Sequence, residues 1–355
     1  MATHKFSVLT AVLLAGAIAS LPFTTLAAPS SVQEIANYQG ADRQAILEAG
    51  AKKEESVLVY GSLTEETAGP VFEAFSKKYP YIRLEKHTGD SLTTVRRAIE
   101  EFRAKHYIVD VMGTSLGGML PLRDLDFFVA HWSPEHAAFR PNTIEPNRYW
   151  AWDFESYVSL GYNTKEVAEK DVPKSLDDLL DPKWKGKMAV PGSSTTPQWL
   201  GATILDKGEP FVRQLARQQG IRNYKIGGRA LSNLVVSGEV PLSPTIFNSH
   251  MFTSAAKGAP VGWRALGTVH TNTNTMGLAK NAPHPHAGML LVDYFLGREG
   301  QGIRHEMGYA SGRKDIDDPN RPEKSVDLTA RPNYAQEFER WQILATEIFG
   351  KPQDQ

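Results

Sequence analysis

The sequence predicts an α/β fold built as two units, and three observations point there. Short apolar stretches with strand character alternate with amphipathic stretches of helical period between residues 57 and 112. A second series of the same kind opens at Met188. Strands that alternate with helices build mostly parallel, covered sheets. The chain has 355 residues, enough for two domains of ordinary size behind a short leader.

The leader is legible first. Lys5 precedes an apolar run from Phe6 to about Phe23, which ends in Thr24-Thr25-Leu26-Ala27-Ala28. Small residues three before and directly before the scissile bond suit signal peptidase. The cut falls after Ala27, because a cut after Ala28 would place Pro29 in the disfavoured next position. Pro22 interrupts the run, which argues against a retained membrane span. Taking 27 residues from 355 leaves 328, in which all later apolar runs are too short to cross a membrane. The chain has no cysteine, which excludes disulfides, thiol catalysis and lipid attachment through an N-terminal Cys. The formal net charge is −1 with charges interspersed, so no nucleic-acid footprint is expected.

The elements follow in order. Val57–Tyr60 reads as a buried strand. Ala68–Tyr79 reads as a helix with Val71, Phe75 and Tyr79 on one face. Tyr81–Glu85 alternates as a strand does. Val95, Ala98, Ile99 and Phe102 follow the spacing of an amphipathic helix. Val109–Met112 is the third strand. A long β-like stretch covers Tyr157–Tyr162, and a helix over Leu176, Leu179 and Leu180 is ended by Asp181-Pro182. Met188–Val190 opens the second series. Val240–Phe247 is a strand that Pro241 and Pro244 push toward an edge or an irregular form. Thr275–Ala279 precedes a strong helix from His286 to Leu296. A last amphipathic helix spans Tyr334–Phe349.

Four of these strands end in small hydroxyl-bearing loops: Gly61-Ser62-Leu63-Thr64, Thr88-Gly89-Asp90-Ser91, Gly113-Thr114-Ser115, and Pro191 to Thr196. Helix capping alone accounts for Ser and Thr at such places. In an open α/β sheet, however, ligands sit beyond the carboxyl ends of the strands, where helix N-termini offer free N–H groups and a positive dipole end. Together the four loops suit a polar or anionic ligand in a cleft between the units.

Several segments in fixed order give the chain a family resemblance: VLVYGSL with VFEAFSKKYP, VDVMGTS, LGYNTKEV with PKSLDDLLDPKWKGKMAVPG, SGEVPLSPTIFNSH, and MGLAKNAPHPHAGMLLVDYFLGREGQ. They span about residues 55–315. The chain resembles the bacterial extracellular solute-binding proteins of the ferric-ion-binding group, which have the type II periplasmic-binding fold. The resemblance implies two lobes, each a central mixed β-sheet flanked by helices, joined by strands crossing near Val158–Asn163 and Thr273–Ala279. Lobe 1 would comprise residues 28–158 and about 276–312, lobe 2 about 159–275, and residues 313–355 would pack back on the lobes. It further implies a monomeric, non-enzymatic periplasmic protein without a cofactor, which delivers a small ligand to an ABC permease of the inner membrane.

The family's ligand pattern is not kept. Ferric-binding members carry adjacent tyrosines where this chain has Ser249 and His250, a first-loop His where it has Leu63 or Thr64, and an acid where it has Ser115. Ferric iron prefers hard anionic oxygen. The expectation is therefore an organic acid, phosphonate or sugar phosphate, with ferric iron as the alternative. Tyr157, Tyr162 or Tyr224 would be the route back to a phenolate site. The ligand-binding candidates are Ser62, Thr64, Thr114, Ser115, Ser193, Ser194, Thr195, Arg229, Asn248, Ser249 and His250. Arg229 follows Gly227-Gly228, opens a helix, and has the planar guanidinium suited to carboxylate or phosphate.

Rival readings are definite. Gly113-Thr114-Ser115-Leu116-Gly117 matches the G-x-S-x-G nucleophile elbow of serine hydrolases, with Asp293 and His305 as available partners, but no HGGG-type segment lies upstream. A sensor without transport would use the same fold. His284-Pro285-His286 reads as a helix start rather than a metal site, and His270 lies in a polar run at a cleft rim or β edge. Trp150, Trp152 and Tyr157 read as packing residues, whereas Trp199 is the aromatic best placed to face the cleft.

Overall fold

A computed structural model describes residues 31–89, 91–318 and 321–354. The expected signal peptide and its cleavage site lie outside the described residues. No described helix is long and apolar enough to cross a membrane.

The first series comprises α1 (Val32–Ala36), α2 (Arg43–Glu54), β1 (Ser56–Gly61), α3 (Glu65–Lys78), β2 (Arg83–Thr88), α4 (Ser91–Arg103), β3 (Val111–Ser115) and α5 (Leu116–Arg123). The long strand β4 (Ala151–Asn163) leads to the second series. This comprises β5 (Ala189–Pro191), α6 (Thr195–Lys207), α7 (Glu209–Gln219), β6 (Arg222–Tyr224), α8 (Gly228–Ser237), β7 (Leu242–Phe247), α9 (Asn248–Ala256) and β8 (Val261–Arg264). The return strand β9 (Val269–Leu278) is followed by α10 (Pro285–Leu296), α11 (Arg298–Glu306), β10 (Ser325–Val326) and α12 (Tyr334–Phe349).

The sheet is mixed and its strand order is β2-β1-β3-β9-β4-β7. β1 runs parallel to β2 and β3, β3 antiparallel to β9, and β9 antiparallel to β4. The second half of β4 pairs with β7 and β8 instead. β5 and β6 form a parallel pair, joined to β7 by a bridge between Met188 and Leu242. Two lobes result. The core of lobe 1 contains Phe72, Phe75, Leu290 and Phe295; that of lobe 2 contains Leu160, Trp184, Leu200 and Leu215. β4 and β9 run together over Ala151–Val158 and Met276–His270. Around Val158, β4 passes from β9 to β7 and β8.

Local chemistry sets the helices. Thr64 and Thr67 form a reciprocal cap at the start of α3, with Glu65 and Glu66 in its first turn and Lys77 and Lys78 in its last, complementing the helix dipole. α10 is capped from other elements. Asp110 accepts a hydrogen bond from the His284 backbone N–H at 2.7 Å, and Glu54 accepts from His286 at 3.2 Å and Ala287 at 2.8 Å. The imidazoles of His284 and His286 pair with the same carboxylates. The two histidines thus mark a helix start, as their spacing suggests.

Some elements depart from the sequence reading. The helix expected over Leu176–Leu180 is a single 3-10 turn, Asp177–Leu180, confined between Pro173 and Pro182. β2 begins two residues later than its alternation suggests, after a turn that holds Tyr81 and Ile82. β7 is the last strand of the sheet order, tied on its outer side to Met188 only by the bridge to Leu242, in keeping with the edge or irregular form its prolines suggest. A register shift opposite Ser159–Gly161 accommodates Pro244. Trp199, expected at the cleft, is 4% exposed and packs in the core of lobe 2, because it lies in the second turn of α6 on the face turned toward the sheet. His270 is buried in β9 beside β10, not at a rim. Trp150 and Tyr157 are buried, as packing residues are.

Arg304 and Asp153 form a fully buried ion pair at the start of β4, with Nε 3.1 Å from Oδ1. The guanidinium lies 4.6 Å from the ring centre of Phe154 and 5.4 Å from that of Phe295. Removing one partner strands the other charge without water. Asp153→Ala is expected to lower unfolding free energy by about 3–5 kcal/mol in urea titrations. A loss below about 1 kcal/mol would show that the pair does not hold β4 in place.

Candidate functional site

The site is built on the paired strands β4 and β9. Their register runs from Phe154 opposite Asn274 to Val158 opposite His270. Opposite residues of an antiparallel pair share a face, and faces alternate along each strand. Phe154, Ser156, Asn272 and Asn274 therefore share one face, and Glu155, Tyr157, Thr271 and Thr273 the other. The second face is covered by the C-terminal passage. Arg321 pairs with Glu155 at 3.2 Å, the Tyr157 hydroxyl donates to Glu155 at 3.1 Å, and Asp327 accepts from the Thr273 N–H at 3.3 Å. The first face meets lobe 2. The Ser156 hydroxyl donates to Asn248 Oδ1 at 3.1 Å and lies 3.3 Å from the Ser249 hydroxyl. Asn272 is the one exposed residue of β9 and lies opposite Ser156 on this face.

The lobe 1 wall is a chain of hydroxyls. Asn274 Nδ2 donates to Ser62 at 3.3 Å, Ser62 lies 3.4 Å from Thr114, Thr114 lies 2.7 Å from Ser91, and Ser91 lies 3.1 Å from Ser115. Thr114 is fully buried and links the chain from behind; Ser62, Ser91 and Ser115 are half-exposed. Thr64 is exposed and engaged in capping α3.

A groove opens between the lobes. Glu66 of α3 lines one side, and Arg229 of α8 with Ser249 and Lys257 of α9 line the other; Met307 and Tyr309 also line it. The Arg229 guanidinium pairs with the Glu66 carboxylate across the mouth. Of the sequence candidates, Arg229 and Ser249 meet here. Asn248 is fully engaged: Oδ1 accepts from Ser156 and from the Tyr157 N–H, and Nδ2 donates to the Gly308 carbonyl. It fastens α9 to the strand beneath. At the start of α6, Ser193 donates to Thr195 at 3.4 Å, Ser194 is exposed, and the Thr195 hydroxyl abuts Gly228 at the start of α8. Glu66, Asn272, Asn274 and Tyr309 were not singled out from the sequence. The polar run around Asn272 and Asn274 was visible, but the alternation that turns them into the cleft was not.

The profile of the bacterial extracellular solute-binding proteins matches residues 130–331. The chain belongs to this family. Solved structures agree on the fold. Iron-bound HitA from Pseudomonas aeruginosa has 21% identity and a TM-score of 0.62, covering 82% of this chain and 99% of that one. The substrate-binding protein of an ABC transporter from Agrobacterium tumefaciens has 15% identity and a TM-score of 0.64, over 83% and 94%. AfuA from Actinobacillus pleuropneumoniae, with fructose-6-phosphate bound, has 18% identity and a TM-score of 0.60, over 83% and 98%.

The rival constellations can be placed in this solute-binding protein. Ser115 has an ordinary backbone, φ −58° and ψ 149°, not a strained elbow. Its hydroxyl partner is Ser91. Asp293 is held by Arg43 at 2.5 Å and faces His131, and the exposed His305 lines a separate recess beside Phe252. Neither is a partner of Ser115. The three tyrosines that might have restored a phenolate site lie elsewhere. Tyr157 is on the far face of β4, Tyr162 faces Glu169, and Tyr224 packs beside Arg222 and the C-terminal tail. Burial raises the pKa of Tyr309, the phenol of the groove.

His250 accepts or donates at Nδ1 to the Ser232 hydroxyl at 2.8 Å. Burial, and then the charge of Arg229, lower its pKa to about 3. The folded state thus binds fewer protons than the unfolded state between about pH 3 and 6.5, and this group disfavours folding as pH falls through that window. In NMR titrations the His250 ring signals are expected to stay constant from pH 8 to 5. A midpoint near 6.5 would place the imidazole in solvent.

Proposed function

We propose that this protein captures a small polar or anionic solute in the interlobe groove and delivers it to an ABC-type permease of the inner membrane. In this reading it works as an exported periplasmic monomer. Lobe 1 comprises residues 28–158 with about 276–312, and lobe 2 about 159–275. The observation that carries the reading is Arg229: a guanidinium of lobe 2 aimed across the groove at a lobe 1 carboxylate. A solute anion that takes the guanidinium would exchange one charged partner for another. The half-exposed hydroxyls of Ser62, Ser91 and Ser115 supply neutral donors and acceptors on the opposite wall. Organic acids, phosphonates and sugar phosphates fit this lining, and a solved relative carries such a ligand, fructose-6-phosphate.

Two measurements test the reading. Small-angle scattering is expected to give a smaller radius of gyration at saturating solute than without it, and an unchanged profile counts against hinged capture. Arg229→Gln is expected to weaken binding of the solute retained on native purification by about 10- to 100-fold, the effect of one lost charged hydrogen bond. A change below threefold would remove Arg229 from the site.

Tight binding of free ferric ion is not expected. The matched positions hold Ser249 and a neutral His250, and imidazole suits softer or divalent metals. Titration with ferric citrate should leave the protein colourless between about 400 and 500 nm, where phenolate–iron charge transfer absorbs, and free of iron after desalting. A coloured protein with stoichiometric iron would reverse the assignment.

A further inference from the structure

We infer that Asn272 and Asn274 are the specificity residues of the floor, and that they select an anion which also carries hydroxyl or ammonium donors. The inference rests on the solute-capture reading above and names the ligand chemistry of that same groove.

Three observations support it. The two carboxamides lie two residues apart on β9 and so project from the same face, the one that meets α9 and Tyr309. Asn272 is exposed although both of its chain neighbours are buried, and it lies opposite Ser156, whose hydroxyl is 3.3 Å from that of the groove residue Ser249. Asn274 is 5% exposed, and its Oδ1 accepts no hydrogen bond from any described residue, while its Nδ2 is held by Ser62. A buried carbonyl oxygen without a donor is costly, and a solute donor relieves that cost on binding.

The charges of the adjoining groove sharpen the class. Glu66 is a further acceptor at the mouth, whereas Arg229 and Lys257 are donors only. A bare carboxylate or phosphate would satisfy the two cations and leave the acceptors of Asn274 and Glu66 unused. A solute with an anionic end and a hydroxylated or aminated end uses both. The fixed Asn274–Ser62 bond orients the carboxamide in advance, so the acceptor does not have to be ordered by the solute.

The test compares matched pairs by calorimetry on protein purified after export: glycerol 3-phosphate against propyl phosphate, glycerate against propionate, and phosphoethanolamine against ethyl phosphate. At least one donor-bearing member is expected to bind at least about 10-fold more tightly than its donor-free counterpart. Asn272→Ala and Asn274→Ala should each bring that ratio to within about threefold. Asn272 is exposed, so its variant should keep the melting temperature of the unliganded protein and isolates recognition from folding. Equal binding of the donor-free members, or an undiminished ratio in Asn272→Ala, overturns the inference and leaves anion capture standing. A panel without any binder overturns both.

Discussion

The antiparallel pairing of β4 with β9 is the constraint on which the rest of the structure depends. These two strands belong to the lobe 1 sheet at one end, and β4 continues into the lobe 2 sheet at the other. Their register decides which side chains turn to each face. A slip of β9 by one residue would carry Asn272 and Asn274 to the back and bring Thr271 and Thr273 to the other face. The register is held by groups that leave little choice. Asp153 is locked to the buried Arg304, Gln301 donates to the Asp153 carbonyl at 2.6 Å, and Glu155 is held by Arg321. Burial raises the pKa of Glu155 to about 7 in spite of the arginine. The back face is therefore costly to rearrange.

The hydroxyl-rich loops illustrate how one residue type serves two purposes. Thr64 caps α3 and Thr196 donates to the Pro191 carbonyl at 2.7 Å; both are absorbed by backbone chemistry. Ser62, Ser91 and Ser115 bond mainly to other side chains and remain half-exposed. A sequence pattern of Ser and Thr after strands does not separate these cases, because capping and ligand binding draw on the same donors and acceptors. Burial and partner identity separate them. Asn248 makes the same point in lobe 2, where an amide in a promising position is consumed by Ser156, Tyr157 and Gly308.

Much of the fold was legible because its signals are local. The span of α12 matches its apolar periodicity, and α10 begins within one residue of the position read from the sequence. The order of segments carried the two-lobed architecture. What was not legible depends on contacts between distant residues. The helix expected at Leu176–Leu180 had a local apolar pattern but was cut short by flanking prolines. Trp199 sits beside a hydroxyl loop in sequence, yet helix geometry turns it into the core. Arg229 and Ser249 were identified from residue type and alignment, whereas Glu66, which meets Arg229, comes from the other lobe, 163 residues away. No periodicity in the chain could link those two charges.

That cross-lobe pair contrasts with the charges at the hinge, and the contrast bears on how such a protein moves. The Glu66 and Arg229 side chains are 64% and 43% exposed, and an ion pair so wetted contributes about 1 kcal/mol or less. The Arg304–Asp153 pair is fully buried, and losing either partner costs several times as much. The mouth is thus joined by an interaction that water or a solute anion can replace at little cost. The hinge is fastened by one that nothing in solution can replace. In the solute-capture reading proposed above, opening parts Glu66 from Arg229 while the paired strands keep their register, and a solute that occupies the guanidinium acts on the weaker of the two links.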